Sequence, residues 1–158
     1  MNCYIFDIDG TLANLDHRLS YIKSKPRNYK AFYAGVTHDA PIAPMCAVAK
    51  TLAVARTPIL FCSGRPEETR PDTMRWLEDK VFSWLFRPNE YGDYGTARLY
   101  MRKSNDYRKD SIVKEELLDQ ILLDGFVPVM VFDDRPSVCE MWKRRGILVA
   151  RVGDKDDF

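Results

Sequence analysis

Cys3-Tyr4-Ile5-Phe6-Asp7-Ile8-Asp9-Gly10-Thr11 runs from a short apolar stretch into two acids and a glycine–threonine turn. A short apolar run that stops at such a turn is expected to be a buried strand. The same pattern recurs twice. Pro58-Ile59-Leu60-Phe61-Cys62 is broken by Ser63-Gly64-Arg65-Pro66, and Val129-Met130-Val131-Phe132 ends on Asp133-Asp134. Arg98-Leu99-Tyr100-Met101, after the glycine-rich Tyr91-Gly92-Asp93-Tyr94-Gly95 turn, and Ile147-Leu148-Val149-Ala150 complete a set of short strands.

Helical spacing fills the intervals. Residues 44–55 open with Pro44, suited to a first helical turn, and set Met45, Val48 and Leu52 on one face. Met74, Leu77, Val81 and Leu85 form a second stripe, entered near Pro71. A third carries Val113, Leu117 and Ile121, with Asp110 or Ser111 as its cap, and a fourth helix covers 137–145. Strands alternating with helices predict an α/β, Rossmann-like, mainly parallel sheet with helices on both faces. Residues 13–43 interrupt the alternation. They place Leu15, Leu19 and Ile22, then Tyr29, Phe32 and Val36, at helical spacing, which predicts a small helical cap inserted in one domain spanning 1–158.

In such sheets ligands bind beyond the carboxyl ends of the strands. The polar signals gather there: Asp7 and Asp9, Ser63 and Arg65, Asp133 and Asp134. The acids offer only oxygen donors, which favour magnesium, while Ser63, Arg65 and Lys114 offer donors to a phosphate. His17 and His38, the two histidines, receive no catalytic role. Arg102–Lys114 holds five basic residues against two acids (Asp106 and Asp110). Arg65, Arg102, Arg108 and Arg135 all fall near the same sheet edge, and a planar guanidinium suits phosphates flanking a scissile one. Trp76, Trp84 and Trp142 sit within helix patterns and are expected in the core; Tyr21, Tyr29 and Tyr33 are candidates for stacking on a base.

Composition sets bounds. The 158 residues, 46% hydrophobic, suffice for one full core. A formal net charge of +1 excludes a general nucleic-acid coat and leaves room for a local basic patch. Cys3, Cys46, Cys62 and Cys139 form no Cys-x-x-Cys pair and read as reduced thiols of a cytoplasmic protein. No apolar run approaches the ~18 residues that span a bilayer, so no membrane partner is expected.

Asp7-x-Asp9-Gly10-Thr11, Ser63, Lys114 and Asp133-Asp134 resemble, in order, the four motifs of the haloacid-dehalogenase-like phosphatases. A narrower likeness lies in Tyr100-Met101-Arg102, in Asp106-x-Arg108-x-Asp110-x-x-Val113-Lys114-Glu115-Glu116, and in Asp133-Asp134-Arg135 with Glu140-Met141-Trp142. These are similar to the 3′-phosphatase domain of the bacteriophage polynucleotide kinase/phosphatase type. Two departures stand out: no Gly-x-x-x-x-Gly-Lys-Ser/Thr loop occurs, and 13–43 is longer than the matching stretch.

The resemblance implies a magnesium-dependent phosphomonoesterase with Asp7 as nucleophile and Asp9 as acid and base. It implies metal ligands from Asp7, the Asp9 carbonyl and Asp134, with Asp133 orienting waters or Lys114. Ser63, Gly64 and Lys114 would hold phosphate oxygens, and Thr11 would steady the loop. A polynucleotide end bearing a 3′-phosphate is the expected substrate, contacted by Arg65, Arg102, Arg108 and Arg135. Free nucleotides are the alternative, and a non-catalytic nucleic-acid end binder a remote one.

Overall fold

The computed structural model describes residues 1–87 and 97–157. The predicted turn at 91–95 lies outside them. Five strands form one parallel sheet in the order β5 (Ala97–Arg102), β4 (Ile59–Pro66), β1 (Asn2–Phe6), β6 (Val127–Asp133), β7 (Leu148–Arg151). Period-two alternation divides the central side chains between two cores. Phe6, Ile59 and Phe61 face α3 (Ala43–Val54) and α4 (Arg70–Lys80), where they meet Ala49, Trp76 and Leu77. Cys3, Ile5, Leu60 and Cys62 face α5 (Asp110–Leu123) and α6 (Pro136–Arg144), meeting Leu118, Ile121, Val138 and Trp142. Both faces of the sheet are covered, which is why these strands read as continuous apolar runs. Among the described residues, no helix is long and apolar enough to cross a membrane.

Register brings the polar signals level. Phe6 pairs with Phe61 on one side and Phe132 on the other, so the next step along each strand gives Cys62, Asp7 and Asp133. The strand expected to break at Ser63 instead continues to Pro66. Its pairing with β5 jumps from Ser63–Met101 to Pro66–Arg102, so Gly64 and Arg65 form an irregularity that the partner strand does not match. Bulges of this kind re-aim side chains beside functional sites.

Several helix faces differ from the spacing. In α3 the buried stripe is Cys46, Ala49 and Ala53, with Met45 and Leu52 on its flanks and Val48 exposed. Small residues allow close approach to the sheet, and the larger ones fill the margins. Helix α4 ends at Lys80, so Val81 and Leu85 pack from the following segment, and Trp84, freed from helical phase, is 56% exposed rather than in the core. Helix α5 is preceded by Lys109 at the cap position, and its first residue is Asp110, which is committed to a side-chain contact described below.

Between β1 and α3, residues 13–43 form short elements on a two-stranded stem, β2 (Ala13–Asn14) antiparallel to β3 (Ala40–Pro41). Helices α1 (Ser20–Lys23) and α2 (Tyr29–Ala34) are short, and Pro26 lies between them. Leu15, Ile22 and Phe32 make a separate small core there.

Candidate active site

The turn after β1 is closed by its own backbone: the Ile8 carbonyl accepts from the N–H groups of Thr11, Leu12 and Ala13, and Gly10 N–H donates to Ala13 O at 2.8 Å. Gly10 sits at φ +90°, and a Cβ placed there would overlap the Asp134 carboxylate. Glycine therefore answers two demands, left-handed backbone and close approach. Asp7 is buried, and both its oxygens are engaged. Thr11 Oγ1 donates to Oδ2 at 2.8 Å, and Lys114 Nζ donates to Oδ1 at 2.7 Å.

Lys114 lies in the second turn of α5, fully buried, and bridges two strand ends by donating also to Asp133 Oδ2 at 2.8 Å. Trp142 Nε1 donates to the same oxygen at 3.1 Å. Asp7, Asp133 and Asp134 each present a carboxylate oxygen within 4.8 Å of the others. Burial raises the Asp7 pKa well above the usual carboxylate range; Lys114 opposes the rise, and Asp133 and Asp134 add to it. Burial and the Asp133 charge likewise push Asp134 up to about 6. Burial alone would lower Lys114, but Asp133 and Asp7 outweigh it and hold the ammonium protonated. Three crowded carboxylates with one ammonium leave surplus negative charge in a largely buried cluster, an arrangement suited to a hard divalent cation.

Asp9 points elsewhere. Its Oδ1 accepts from Arg65 Nε at 3.0 Å, Arg65 Nη2 at 2.6 Å and Arg18 Nη2 at 2.9 Å. Burial would raise its pKa, yet the two guanidinium groups prevail and bring it down to about 2. The same arginines grip Asp39 Oδ2, from Arg18 Nη2 at 2.7 Å and Arg65 Nη2 at 2.9 Å. His17 Nε2 lies 2.7 Å from Asp39 Oδ1. Arg18 and Arg65 are fully buried, and Arg18 lies 4.3 Å over the Phe32 ring. This lattice joins β1, the bulge of β4 and the 13–43 segment. Arg18 and Asp39 are members of this lattice that the sequence does not reveal, because a lone Arg and a lone Asp in an irregular segment carry no local signal.

The predicted arginine contacts are largely spent on the protein itself. Arg65 does not line the cavity; it serves Asp9, Asp39 and, at 3.2 Å, Thr73 Oγ1. Arg102 donates to Gly64 O (2.7 Å), Asp106 O (3.1 Å), Arg108 O (2.6 Å) and Asp110 Oδ1 (2.7 Å), so it ties down the 103–109 loop. Arg108 is forked between Asp106 and Glu116. Arg135 faces Asp110 Oδ2 at 3.7 Å and Asp157 Oδ1 at 4.0 Å. Asp110 thus anchors two arginines, and its carboxylate occupies the space a Cβ on Gly64 would need. The C-terminal tail is exposed yet tethered: Lys155 pairs with Asp16 at 2.8 Å, and Asp157 reaches the cavity wall. Ser63 is buried with its Oγ accepting from Arg65 N–H at 3.1 Å. Beside these groups opens a cavity of about 680 Å³ whose lining includes Asp7, Asp9, Gly64, Lys114 and Asp134, together with the internally paired Arg102, Arg108 and Arg135.

A model of the polynucleotide kinase PNKP phosphatase domain matches residues 1–158. The chain belongs to that family. It is a phosphatase domain of the haloacid-dehalogenase-like type. A protein of Autographa californica nuclear polyhedrosis virus, named for bifunctional polynucleotide kinase and RNA ligase, is 30% identical over 138 residues, which is 87% of this chain and 17% of the viral one. A solved Pnkp1/Rnl/Hen1 complex contains a chain with 28% identity and a TM-score of 0.73, covering 99% of this domain and 46% of that chain. The domain therefore spans less than half of either relative. A class C acid phosphatase from Bacillus anthracis, at 11% identity, TM-score 0.62 and coverage of 99% and 68%, shares the fold.

Proposed function

We propose that this phosphatase domain removes 3′-phosphates from polynucleotide ends through an aspartyl-phosphate on Asp7. The observation that carries the reading is the pinned Asp7 carboxylate, buried between Thr11 and Lys114 at the floor of the cavity, in a chain of the polynucleotide kinase phosphatase family. Asp7 attacks phosphorus, the bond to the departing 3′-oxygen breaks, and the acyl phosphate is later opened by water. Asp9 transfers the protons. Every bond it accepts from the described residues falls on Oδ1, which leaves Oδ2 for the leaving oxygen and then for water. Near neutrality Asp9 starts as a carboxylate, so it takes up one proton, from solvent or from the phosphate monoanion, as the substrate binds; the incoming phosphate charge favours that uptake, and the proton then passes to the leaving oxygen. The Lys114 ammonium, in the cavity wall, keeps a third N–H for a phosphate oxygen, whereas Ser63 does not line the cavity and supports the backbone of Arg65 instead.

Asp7, Asp134 and the Asp9 carbonyl would hold magnesium, with Asp133 aiding, and the ion supplies charge neutralisation at the transferring phosphoryl group. Gly10→Ala, which forces Asp134 aside, is expected to weaken magnesium activation by roughly 10–100-fold. A magnesium titration of turnover checks this; an unchanged midpoint removes Asp134 from the metal site. The 13–43 segment acts in this reading as a cap, since it delivers Arg18 and Asp39 to the proton-transfer residue.

The deciding assay compares a 3′-phosphorylated oligonucleotide with 3′- and 5′-mononucleotides, with magnesium and after chelation. Preference for the oligonucleotide, abolished by chelation, is expected; equal or better turnover of mononucleotides would replace the reading with a nucleotidase. Arg102→Ala tests a narrower point. Because its hydrogen bonds are internal, the substitution is expected to lower turnover of an oligonucleotide and of a small aryl phosphate alike. A loss confined to the oligonucleotide would return Arg102 to the substrate.

A further inference from the structure

The cavity is larger than a phosphate needs. At about 680 Å³ it lies within the range of roughly 300–1,000 Å³ that houses whole organic ligands. Its lining also draws on the 13–43 segment, with Lys23, Lys25 and Tyr29, and on the 103–109 loop, with Tyr107 and Lys109. Arg102, Arg108 and Arg135, expected to hold flanking phosphates, line the same cavity but face carboxylates of the chain itself. Lys23, Lys25 and Lys109, by contrast, make no ion pair or side-chain hydrogen bond among the described residues; Asp16, the acid that Lys23 influences, is paired with Lys155. The Tyr29 ring is 39% exposed, stacks on Tyr33 at 6.3 Å, and its hydroxyl accepts from Arg27 at 3.1 Å. Tyr107 is 80% exposed, and a neighbouring cavity of about 480 Å³ has both tyrosines in its wall.

We propose that Lys23, Lys25 and Lys109 seat the phosphodiester preceding the scissile 3′-phosphate, while Tyr29 supports the adjoining base. The proposal rests on the reading above and deepens it: the ligand is a strand of at least two nucleotides, held by lysines of the cap and loop rather than by the motif arginines. Mobile ammonium groups around a mouth bind a phosphodiester without fixing sequence. An aromatic face supplies sequence-tolerant stacking.

The test uses three substrates: a 3′-phosphorylated oligonucleotide, a nucleoside 3′-monophosphate with no 5′-phosphate, and p-nitrophenyl phosphate. Lys23→Ala/Lys25→Ala/Lys109→Ala is expected to raise KM for the oligonucleotide about tenfold or more, with the other two changing less than about twofold. Its salt dependence on the oligonucleotide should flatten by about 0.7 in log–log slope for each phosphate that the lysines no longer neutralise. Tyr29→Ala should weaken the oligonucleotide about tenfold, with Tyr29→Phe restoring it. Equal losses on all three substrates, or an unchanged oligonucleotide KM and salt slope, overturn the proposal while leaving the 3′-phosphatase reading intact. A wild-type domain that hydrolyses p-nitrophenyl phosphate but not the oligonucleotide overturns both.

Discussion

Asp7→Asn is expected to abolish phosphatase turnover, by on the order of 10⁴-fold or more, while the domain stays folded. That loss corresponds to about 5.4 kcal/mol of transition-state stabilisation. An amide fills the same space and accepts from Lys114 or Thr11, but it cannot form the acyl phosphate. Stability should hold or rise, because the substitution removes one of three crowded carboxylates whose burial and mutual repulsion push Asp7 upward. Lys114 remains paired with Asp133 at 2.8 Å. Steady-state turnover, thermal unfolding and chemical trapping of phosphorylated protein check the three parts. Turnover within tenfold of the wild type would remove the covalent role of Asp7.

Arg65→Ala is expected to destabilise the domain by roughly 3 kcal/mol, because it leaves the buried Asp39 and the partly exposed Asp9 to share Arg18. For a chain of this size that is a fall in Tm of roughly 10 °C. Arg65→Lys should recover little: one ammonium cannot reach Asp9, Asp39 and Thr73 as the planar fork does. The pH dependence has a definite sign. Asp9 is depressed to about 2 when folded, so its share of the stability is present above its unfolded value near pH 4 and is lost as pH falls through about 2. The deficit of Arg65→Ala should accordingly be largest near neutrality and shrink in acid. Activity should drop as well, since an unrestrained Asp9 no longer presents Oδ2 to the leaving group. An unfolding free energy within about 1 kcal/mol of the wild type would show the lattice to be dispensable.

Much of the site is readable along the chain because parallel strands end at one edge. Asp7, Asp9, Asp133 and Asp134 follow apolar runs, whereas Lys114 is picked out among neighbouring lysines only by the family resemblance; the structure buries it on one face with Leu118, not with the Leu117 of the expected stripe. The arginines are legible as residues but not as partners. The sequence puts Arg65 at the sheet edge, yet only the bulge of β4 shows that it turns inward to Asp9 rather than outward to a substrate.

The sequence by itself determined that this is a parallel α/β domain with phosphate chemistry at its carboxyl edge. Local periodicity and turn residues dictate strands and helices, and topology carries the acids to one place. Only the tertiary structure decided which cations neutralise which acids. Arg18 and Asp39 are 21 residues apart, and Arg65 and Asp9 are 56 apart, distances over which no local pattern operates. Burial settles such pairings, because a charge withdrawn from water must take the nearest counterion the fold supplies.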